Sequence, residues 1–555
     1  MKAQLREKDL LAEIDRLNRI VAELKTSKPY GLVWEDKPEQ FEKDAENAVP
    51  VLKPKGGKSK DINLDPDADH NVLIEGDNYH ALSVLSYTHR GKIDVIYIDP
   101  PYNTGNKDFR YNDSYVEKED TYRHSKWLSF MEKRLRLAST LMSPSAVIFI
   151  SIDDHEAAPL KLLCDAIFGE ANFLANIVWQ KKYAASNDAK GIPAMHDYIT
   201  VYQKTSAFDR KLLPRTDKQD AAYKNDDGDG RGPWRSDNLL VKSFSESGVF
   251  EVNNPATGQK FLPKKGNSWR ASQETMSKWI AEGRVFFGKN GKGAPQLKRY
   301  LNEVQQGVVP VTWWTFEEGG HNDQANKELQ DIFGQGRVPF DTPKPTKLIK
   351  RLLQISSGKD VTVLDYFAGS ATTGHAVLQL NKEDGGNRRF LLCTNNENNI
   401  CEDVTFERIK RAMKGYTTPN GEKMVGLCAN LAYLKTGFVK KELAVGLSDE
   451  AKLKLTRRAN LLLSLKENTF IPVEVTDHYE ITASPTKITA VYFREDKSEL
   501  EAMLDKLLKL TGTKLVTVYI FAWEKGAYKT GIPGYPFDFQ DIPEPIVEVY
   551  QSIGY

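Results

Sequence analysis

Apolar positions along this chain switch between two periods. From residue 71 to about 204, short β-branched runs at 72–74, 95–98, 146–152 and 198–202 read as strands, and 127–142 carries the three-four spacing of a helix face. The same alternation resumes with a helix at 345–353 and strands at 361–365 and 389–394. Strands that alternate with helices predict one doubly wound α/β sheet, interrupted by an insertion. Before it, Leu10, Ile14, Leu17, Val21 and Leu24 predict an amphipathic helix over 1–28, which either pairs in a coiled coil or packs on its own domain. Residues 29–70, rich in Lys, Asp, Glu, Pro and Gly, read as an exposed connector with little chemistry. Residues 71–204 and 336–415 form the two halves of the sheet domain, and 205–335 is the insertion, with little sustained periodicity. From 416 to 555 a strand at 488–493, a helix at 498–510 and a strand at 514–521 predict a small separate α/β domain.

Composition narrows the class. The chain has 555 residues, 40% hydrophobic and 28% charged, and a net charge of +1, so a polyanion must be held by a local basic face and not by bulk attraction. Such a face is visible at 260–299, where ten Lys and Arg stand against two acidic residues, with Trp269, Trp279, Phe286 and Phe287 interleaved. On composition alone, a solvated basic surface over core aromatics explains that stretch equally well. Cys164, Cys393, Cys401 and Cys428 lack metal-site spacing, so neither a metal nor a disulfide framework is expected. The first residues lack an apolar signal core and no run of eighteen apolar residues occurs, so the expectation is a cytoplasmic protein outside the membrane.

Two segments carry chemistry. The run from Lys92 to Gly105 sets Asp99-Pro100-Pro101-Tyr102 at the carboxyl tip of an apolar strand, where open α/β sheets bind ligands. A carboxylate and a freed proline carbonyl accept the two hydrogens of a planar exocyclic amine, and an aromatic ring stacks on its face. An Asp-Pro-Pro turn that merely ends a strand is the plainer reading. The second segment, Val361 to Val377, reads as a buried strand, a small-residue turn and a helix start, which brings backbone close to a ligand. It has neither the G-x-G-x-x-G of a dinucleotide site nor a P-loop.

Together these segments resemble the amino-methyltransferases that use S-adenosyl-L-methionine to modify DNA bases, in which D-P-P-Y and F-x-G motifs serve catalysis and cofactor binding. The catalytic motif stands first and the cofactor motif 266 positions later, which is similar to the permuted β-type group. The stretch from Asn71 to Leu82 leading into Asp99 is similar to the modification subunits of type III restriction systems, and the resemblance covers roughly residues 30–415. It implies a Rossmann-like methyltransferase core with an inserted target recognition domain and a C-terminal assembly domain. It implies transfer to N6 of a flipped adenine with Asp99, Pro100, Pro101 and Tyr102 as catalytic residues. It places Asp77 on the cofactor's adenine, Asp365, Phe367, Ala368, Gly369 and Ser370 along its methionine and adenosine side, Glu397 on the ribose, with Asn395 and Asn396 as alternatives, and Lys344 on the methionine carboxylate. Asp77 is equally a helix cap.

In the insertion it makes Lys264, Lys265, Arg270, Lys289, Lys292, Lys298 and Arg299 candidates for DNA contacts. Double-stranded DNA, a second copy of the chain and a helicase/nuclease restriction subunit are the implied partners. One departure is Ala371, which occupies the second glycine of F-x-G-x-G; its methyl is harmless only if φ is negative. Cytosine-N4 methylation is the nearest alternative, although its group more often carries Ser at position 99. A DNA-binding component without turnover and methylation of RNA or glutamine are the others.

Overall fold

The computed structural model describes residues 34, 38–55, 61–105, 110–111, 114–115, 120, 122–185, 191–304, 306–334, 340–356, 358–440, 449–494, 496–522, 524, 526–544 and 546–547. The helix expected over 1–28 lies outside them. The chain forms two compact units, 211–310 and the remainder.

The larger unit is built on a ten-stranded sheet. Its strands are β1 (Ala48–Pro54), β2 (His70–Glu75), β3 (Ile93–Ile98), β4 (Met142–Ile152), β5 (Phe173–Gln180), β6 (His196–Gln203), β7 (Trp313–Trp314), β8 (Thr362–Asp365), β9 (Arg389–Thr394) and β10 (Asn430–Lys440). Their order is β1-β10-β2-β9-β8-β3-β4-β6-β5-β7. The run from β10 to β4 is wholly parallel, and β1 and β6 are antiparallel to their neighbours. This is the expected Rossmann-like architecture in permuted order. In β3 every residue except Asp94 is buried, as a strand covered on both faces requires. Asp94 is used at the strand's start, where its carboxylate accepts from the Thr362 amide at 2.9 Å and the Ser143 hydroxyl at 3.0 Å, fastening β3 to β8 and β4.

Helices α1 (Gln40–Glu46), α2 (Asn78–Thr88), α3 (Arg123–Leu141), α4 (Ala157–Phe168), α5 (Thr346–Ser356) and α6 (Thr372–Asp384) complete the part that positions the site. The crossover through α6 carries the chain from β8 to β9 on one side, and that through α3 carries it from β3 to β4 on the other. The connections therefore diverge between β8 and β3, with Val363 opposite Val95 and Leu364 opposite Ile96. A crevice opens at the carboxyl ends of strands where connections part in this way.

Three sequence-derived boundaries need correction. The segment read as an exposed connector contains α1 and β1, whose Val49, Val51 and Leu52 are buried. Its prolines concealed it: Pro50 and Pro54 are tolerated because β1 is the sheet edge and pairs only with β10. The sheet also continues past 415 into β10. The buried Glu75 ties these additions together, accepting from Lys435 and the Tyr433 hydroxyl at 2.7 Å each and pairing with Lys55.

The C-terminal part forms a five-stranded sheet from β11 (Ile471–Val475), β12 (Tyr479–Ala483), β13 (Lys487–Tyr492), β14 (Leu515–Ile520) and β15 (Asp538–Gln540), with α7 (Asp449–Glu467) and α8 (Leu500–Leu510). The expected strand-helix-strand unit is β13-α8-β14, its strands parallel. It is not separate, because Val491, Phe493, Tyr519 and Phe521 share one apolar core with Val72, Leu82 and Leu463.

The insertion is shorter than 205–335. The compact unit spans 211–310, and the residues after it return to the large sheet, where Trp314 of β7 is fully buried beside Trp179. Within 211–310, short strands and the helix Gln273–Ala281 surround Leu239, Val252, Trp269, Met276, Val285, Phe287 and Leu297.

Candidate active site at the carboxyl ends of the parallel strands

A cleft of about 1000 Å³ lies at the carboxyl ends of β2, β3, β8 and β9 and is lined by Asp77, Asp99, Pro100, Pro101, Tyr102, Lys344, Phe367, Gly369 and Glu397, among others. Residues expected to act together from four separate segments thus face one space. Its volume sits at the upper end of the range for ligand sites, which leaves room for a cofactor and a base side by side.

Asp99 follows the last residue of β3. Its two oxygens are both engaged: Oδ1 accepts from the Tyr102 hydroxyl at 3.0 Å and Oδ2 meets Lys344 Nζ at 2.6 Å. The Lys344 ammonium also lies 5.1 Å from the centre of the Tyr102 ring, within cation–π range. The Pro101 carbonyl accepts from the Trp127 indole at 2.7 Å, whereas no donor among the described residues meets the Pro100 carbonyl. Just beyond, Asn103 takes a left-handed φ of 56° and is fully buried, its amide donating to Glu156 at 2.5 Å and to the Arg123 carbonyl at 3.2 Å. Asparagine suits that conformation, and the bonds fix the turn that presents Tyr102. Burial, then the Asp99 charge, pushes the Tyr102 phenol well above its ordinary range, so it stays a donor.

The family resemblance implies Lys344 on the methionine carboxylate; in the structure its ammonium is on Asp99. The residue sits on a strained strap. Thr342 has φ 52°, an outlier for a β-branched side chain, and the Phe340 ring covers the Gly369 turn so closely that a Cβ at Gly369 would stand 2.8 Å from it.

From the second motif, Tyr366, Phe367 and Gly369 line the cleft. Asp365, Ala368 and Ser370 stand behind it, because the turn uses them on itself. The Asp365 carboxylate accepts from the Phe367 amide at 3.0 Å and the Thr373 hydroxyl at 2.5 Å. Burial pushes it up to about 7, against those two donors and with a small addition from Asp99. Ser370 Oγ is 3.2 Å from both the Thr372 hydroxyl and the buried Arg408 guanidinium. At the cleft's other end, Asp77 caps α2 by accepting from the His80 amide at 3.0 Å while its side chain stays 53% exposed. Glu397 opens a short 3₁₀ turn in which Asn398 and Asn399 are both left-handed. Of its neighbours, Asn395 lines the cleft, but Asn396 is spent on Glu402.

Several lining residues carried no expectation. Asp197 at the start of β6 is 3% exposed and pairs with Lys181 at 2.5 Å; burial raises its carboxyl, opposed by Lys344 and Lys181. Arg134 of α3, 1% exposed, holds Glu39 through both terminal nitrogens at 2.8 and 2.9 Å, Asn78 at 2.5 Å and Asp77 at 3.4 Å. The sequence signal for it was present: an arginine on the same helical stripe as the buried Trp127, Met131 and Ala138 has to find a buried acid. His80 is buried, and its Nε2, in the cleft wall beside Phe41 and Phe438, has no hydrogen-bond partner among the described residues.

This lining suits S-adenosylmethionine. Asp77 and Glu397 offer acceptors for an amine and for ribose hydroxyls, Phe367, Phe438 and Ile400 supply apolar walls, and Lys344 supplies a cation.

In the unit 211–310, the seven candidate cations separate into two groups. Arg270 and Arg299 share Asp237 at 3.2 and 3.1 Å, and Lys298 pairs with Asp227 at 2.7 Å while lying over Trp234. Lys264, Lys265, Lys289 and Lys292 are exposed, with no ion pair among the described residues. Of the interleaved aromatics, Trp269 and Phe287 are core and Trp279 packs on it, because so small a unit needs large apolar side chains inside, while Phe286 stands edge-on to Trp234 at 5.1 Å.

The chain belongs to the DNA methylase family, whose sequence model it matches over residues 93–408. It is 36% identical over 394 residues to the StyLTI Mod subunit, a type III restriction-modification enzyme of Salmonella typhimurium, covering 62% of this chain and 59% of that one. To the type II methyltransferase M.KpnI of Klebsiella pneumoniae it is 33% identical, over 60% of this chain and 83% of the relative. The EcoP15I Mod subunit of Escherichia coli is 29% identical, over 62% and 63% respectively. The matches thus span about three fifths of the length of the two type III relatives. Among solved structures, the M1.HpyAVI–SAM complex aligns with 12% identity and a TM-score of 0.30, over 61% of this chain and 98% of that one.

Ala371 has φ 62° and ψ 32°, so its methyl is not harmless and strains the cofactor turn. Left-handed backbone costs a non-glycine residue about 1–2 kcal/mol, offset in part by the unfolded-state entropy that glycine adds. Ala371→Gly is expected to raise stability by about 0.5–1 kcal/mol, read as a higher midpoint in chemical denaturation; an unchanged or lower midpoint contradicts the strain.

Proposed function

We propose that this chain transfers the methyl group of S-adenosyl-L-methionine to N6 of an adenine flipped out of double-stranded DNA, as the modification subunit of a type III restriction-modification system. The observation that carries the reading is the Asp99 carboxylate beside the Pro100 carbonyl, which no donor among the described residues meets, in a cleft that also holds Asp77 and Glu397. The printed names of the Salmonella and Escherichia relatives support the type III assignment.

The cofactor supplies an electrophilic methyl on a cationic sulfur. Asp77, Glu397 and the Phe367–Gly369 turn hold it, and Phe438 and Ile400 exclude water. Asp99 and the Pro100 carbonyl accept the two N6 hydrogens, which draws the amine lone pair out of conjugation with the ring and aims it at the methyl. Tyr102 stacks on the extruded base and thereby offsets part of its lost stacking. Asp99 would accept the proton that N6 gives up on methylation.

Each Asp99 oxygen carries one contact at rest and keeps a further lone pair for the amine; moving a contact frees Oδ2 fully. Lys344 is the group to move, since a cofactor carboxylate offers its ammonium a second anionic partner. Asp197, already paired with Lys181, stays beside Lys344 on the other side. The unit 211–310 reads the DNA site, with Lys264, Lys265, Lys289 and Lys292 on phosphates and Arg270, Lys298 and Arg299 held in internal pairs. A second copy of the chain and a restriction subunit are its partners, and the cytoplasm its compartment.

Incubation with methyl-labelled S-adenosylmethionine and bacterial DNA, followed by nucleoside analysis, is expected to give N6-methyladenine at one short asymmetric sequence. N4-methylcytosine moves the chain to the cytosine group, and DNA binding without label makes it a specificity component. Lys289→Ala with Lys292→Ala is expected to lower the slope of log affinity against log salt by about 1–2 without changing cofactor affinity. An unchanged slope removes these two residues from the DNA contact.

A further inference from the structure

The Asp77 end of the cleft has a wall built from outside the sheet. Helix α1 is seven residues long and none of its side chains is buried, so neither helix propensity nor core packing holds it in place. Polar contacts do. Glu39, at its amino cap, takes both terminal nitrogens of the buried Arg134 at 2.8 and 2.9 Å, and Glu42 accepts from Lys133 at 2.5 Å and from the Tyr79 hydroxyl at 3.1 Å. The Arg134 nitrogen that meets Glu39 at 2.9 Å also meets Asp77 at 3.4 Å. One guanidinium thereby sets α1 beside the carboxylate that opens α2.

What this arrangement brings to the cleft is Phe41. Its ring centre lies 4.8 Å from that of Tyr79, 5.1 Å from His80 and 5.9 Å from Phe438, the last pair within 29° of parallel. The ring is half-buried and lines the cleft with Asp77, His80 and Phe438. Burial, against the pull of Asp77, holds the His80 imidazole down at about 4, so the wall is uncharged near neutral pH. A flat apolar wall with a carboxylate at its edge suits a purine that bears an exocyclic amine, since the ring stacks and the amine donates. A helix that served only to cover α2 would bury its one aromatic; this one leaves it half-open on the cleft side. Residues 39–46 also precede the stretch 93–408 matched by the family model.

We propose that Phe41 stacks on the adenine ring of bound S-adenosylmethionine, with Asp77 at the ring's amine, and that Glu39 is a positioning residue that holds Phe41 there through Arg134. This role rests on the cofactor placement in the proposed function, not on which base is methylated. The nucleoside end of the cofactor site is then shared between β2, β10 and a segment that precedes the sheet.

The test is calorimetric binding of two ligands to the full chain: S-adenosylmethionine, and methylthioadenosine, which keeps the nucleoside and lacks the amino acid. Phe41→Ala is expected to weaken both by the same factor, about tenfold, the size of losing one aromatic stack on a base. Phe41→Leu keeps apolar volume without the flat face. Its ligand-free melting temperature is expected to match that of the unaltered protein while both affinities fall by about threefold or more, and Phe41→Tyr is expected to restore them. Glu39→Gln is expected to weaken both ligands in step and to add nothing on top of Phe41→Ala, because it acts through that ring. Tight binding by Phe41→Leu makes Phe41 a packing residue and overturns the proposal. A loss confined to S-adenosylmethionine also overturns it, by moving Phe41 to the amino-acid end, and an additive loss from Glu39→Gln removes the positioning role. An unaltered chain that binds neither ligand contradicts the cofactor placement itself, whereas normal binding by Phe41→Ala overturns only the role of Phe41.

Discussion

The cleft is organised around a shortage of cations. Asp99, Asp197 and Asp365 come to the same end of the sheet because β3 and β8 are neighbours at the point where the connections diverge, and because antiparallel β6 begins where they end. Buried carboxylates at close quarters must be neutralised or protonated. The structure uses the first solution twice and the second once. Asp99 takes Lys344, Asp197 takes Lys181, and Asp365, with hydroxyl and amide donors only, has its carboxyl pushed up to about 7. The strained strap at Thr342 is explained by the first of these, since it delivers an ammonium across 245 residues of sequence to the tip of β3.

A second buried charge, Arg134, organises the other end of the cleft. It couples Glu39, which lies before the sheet, to Asn78 and Asp77, which open α2. Glu39, Gln40 and Phe41, which precede β1, are therefore part of the cleft wall. The same logic holds at Glu75, where β2, β10 and Lys55 converge on one carboxylate.

The strands carrying the chemistry were legible because their signals are local: an apolar β-branched run ended by Asp-Pro-Pro-Tyr, and another ended by Asp-Tyr-Phe-Ala-Gly. What escaped is long-range. β1 and β10 find each other across nearly the whole chain, and prolines in β1 argue against a strand unless its edge position is known. Lys344 was legible as a cation at the site, but its partner was not, because spacing says nothing about which anion a flexible side chain reaches. In 211–310 Lys264, Lys265, Lys289 and Lys292 are on the surface, whereas Trp269 and Phe287 went to the core, and composition cannot tell those two placements apart. The positive φ of Ala371 is likewise invisible in the residue itself.

The measurement that bears most directly on the central role of Asp99 compares Asp99→Ala with the unaltered protein in two assays, calorimetric binding of S-adenosylmethionine and methyl transfer to DNA. Loss of the amine acceptor is expected to slow transfer by roughly a hundredfold or more, while cofactor affinity holds or improves because Lys344 is released. Near-normal transfer, or cofactor affinity that collapses together with transfer, contradicts the account.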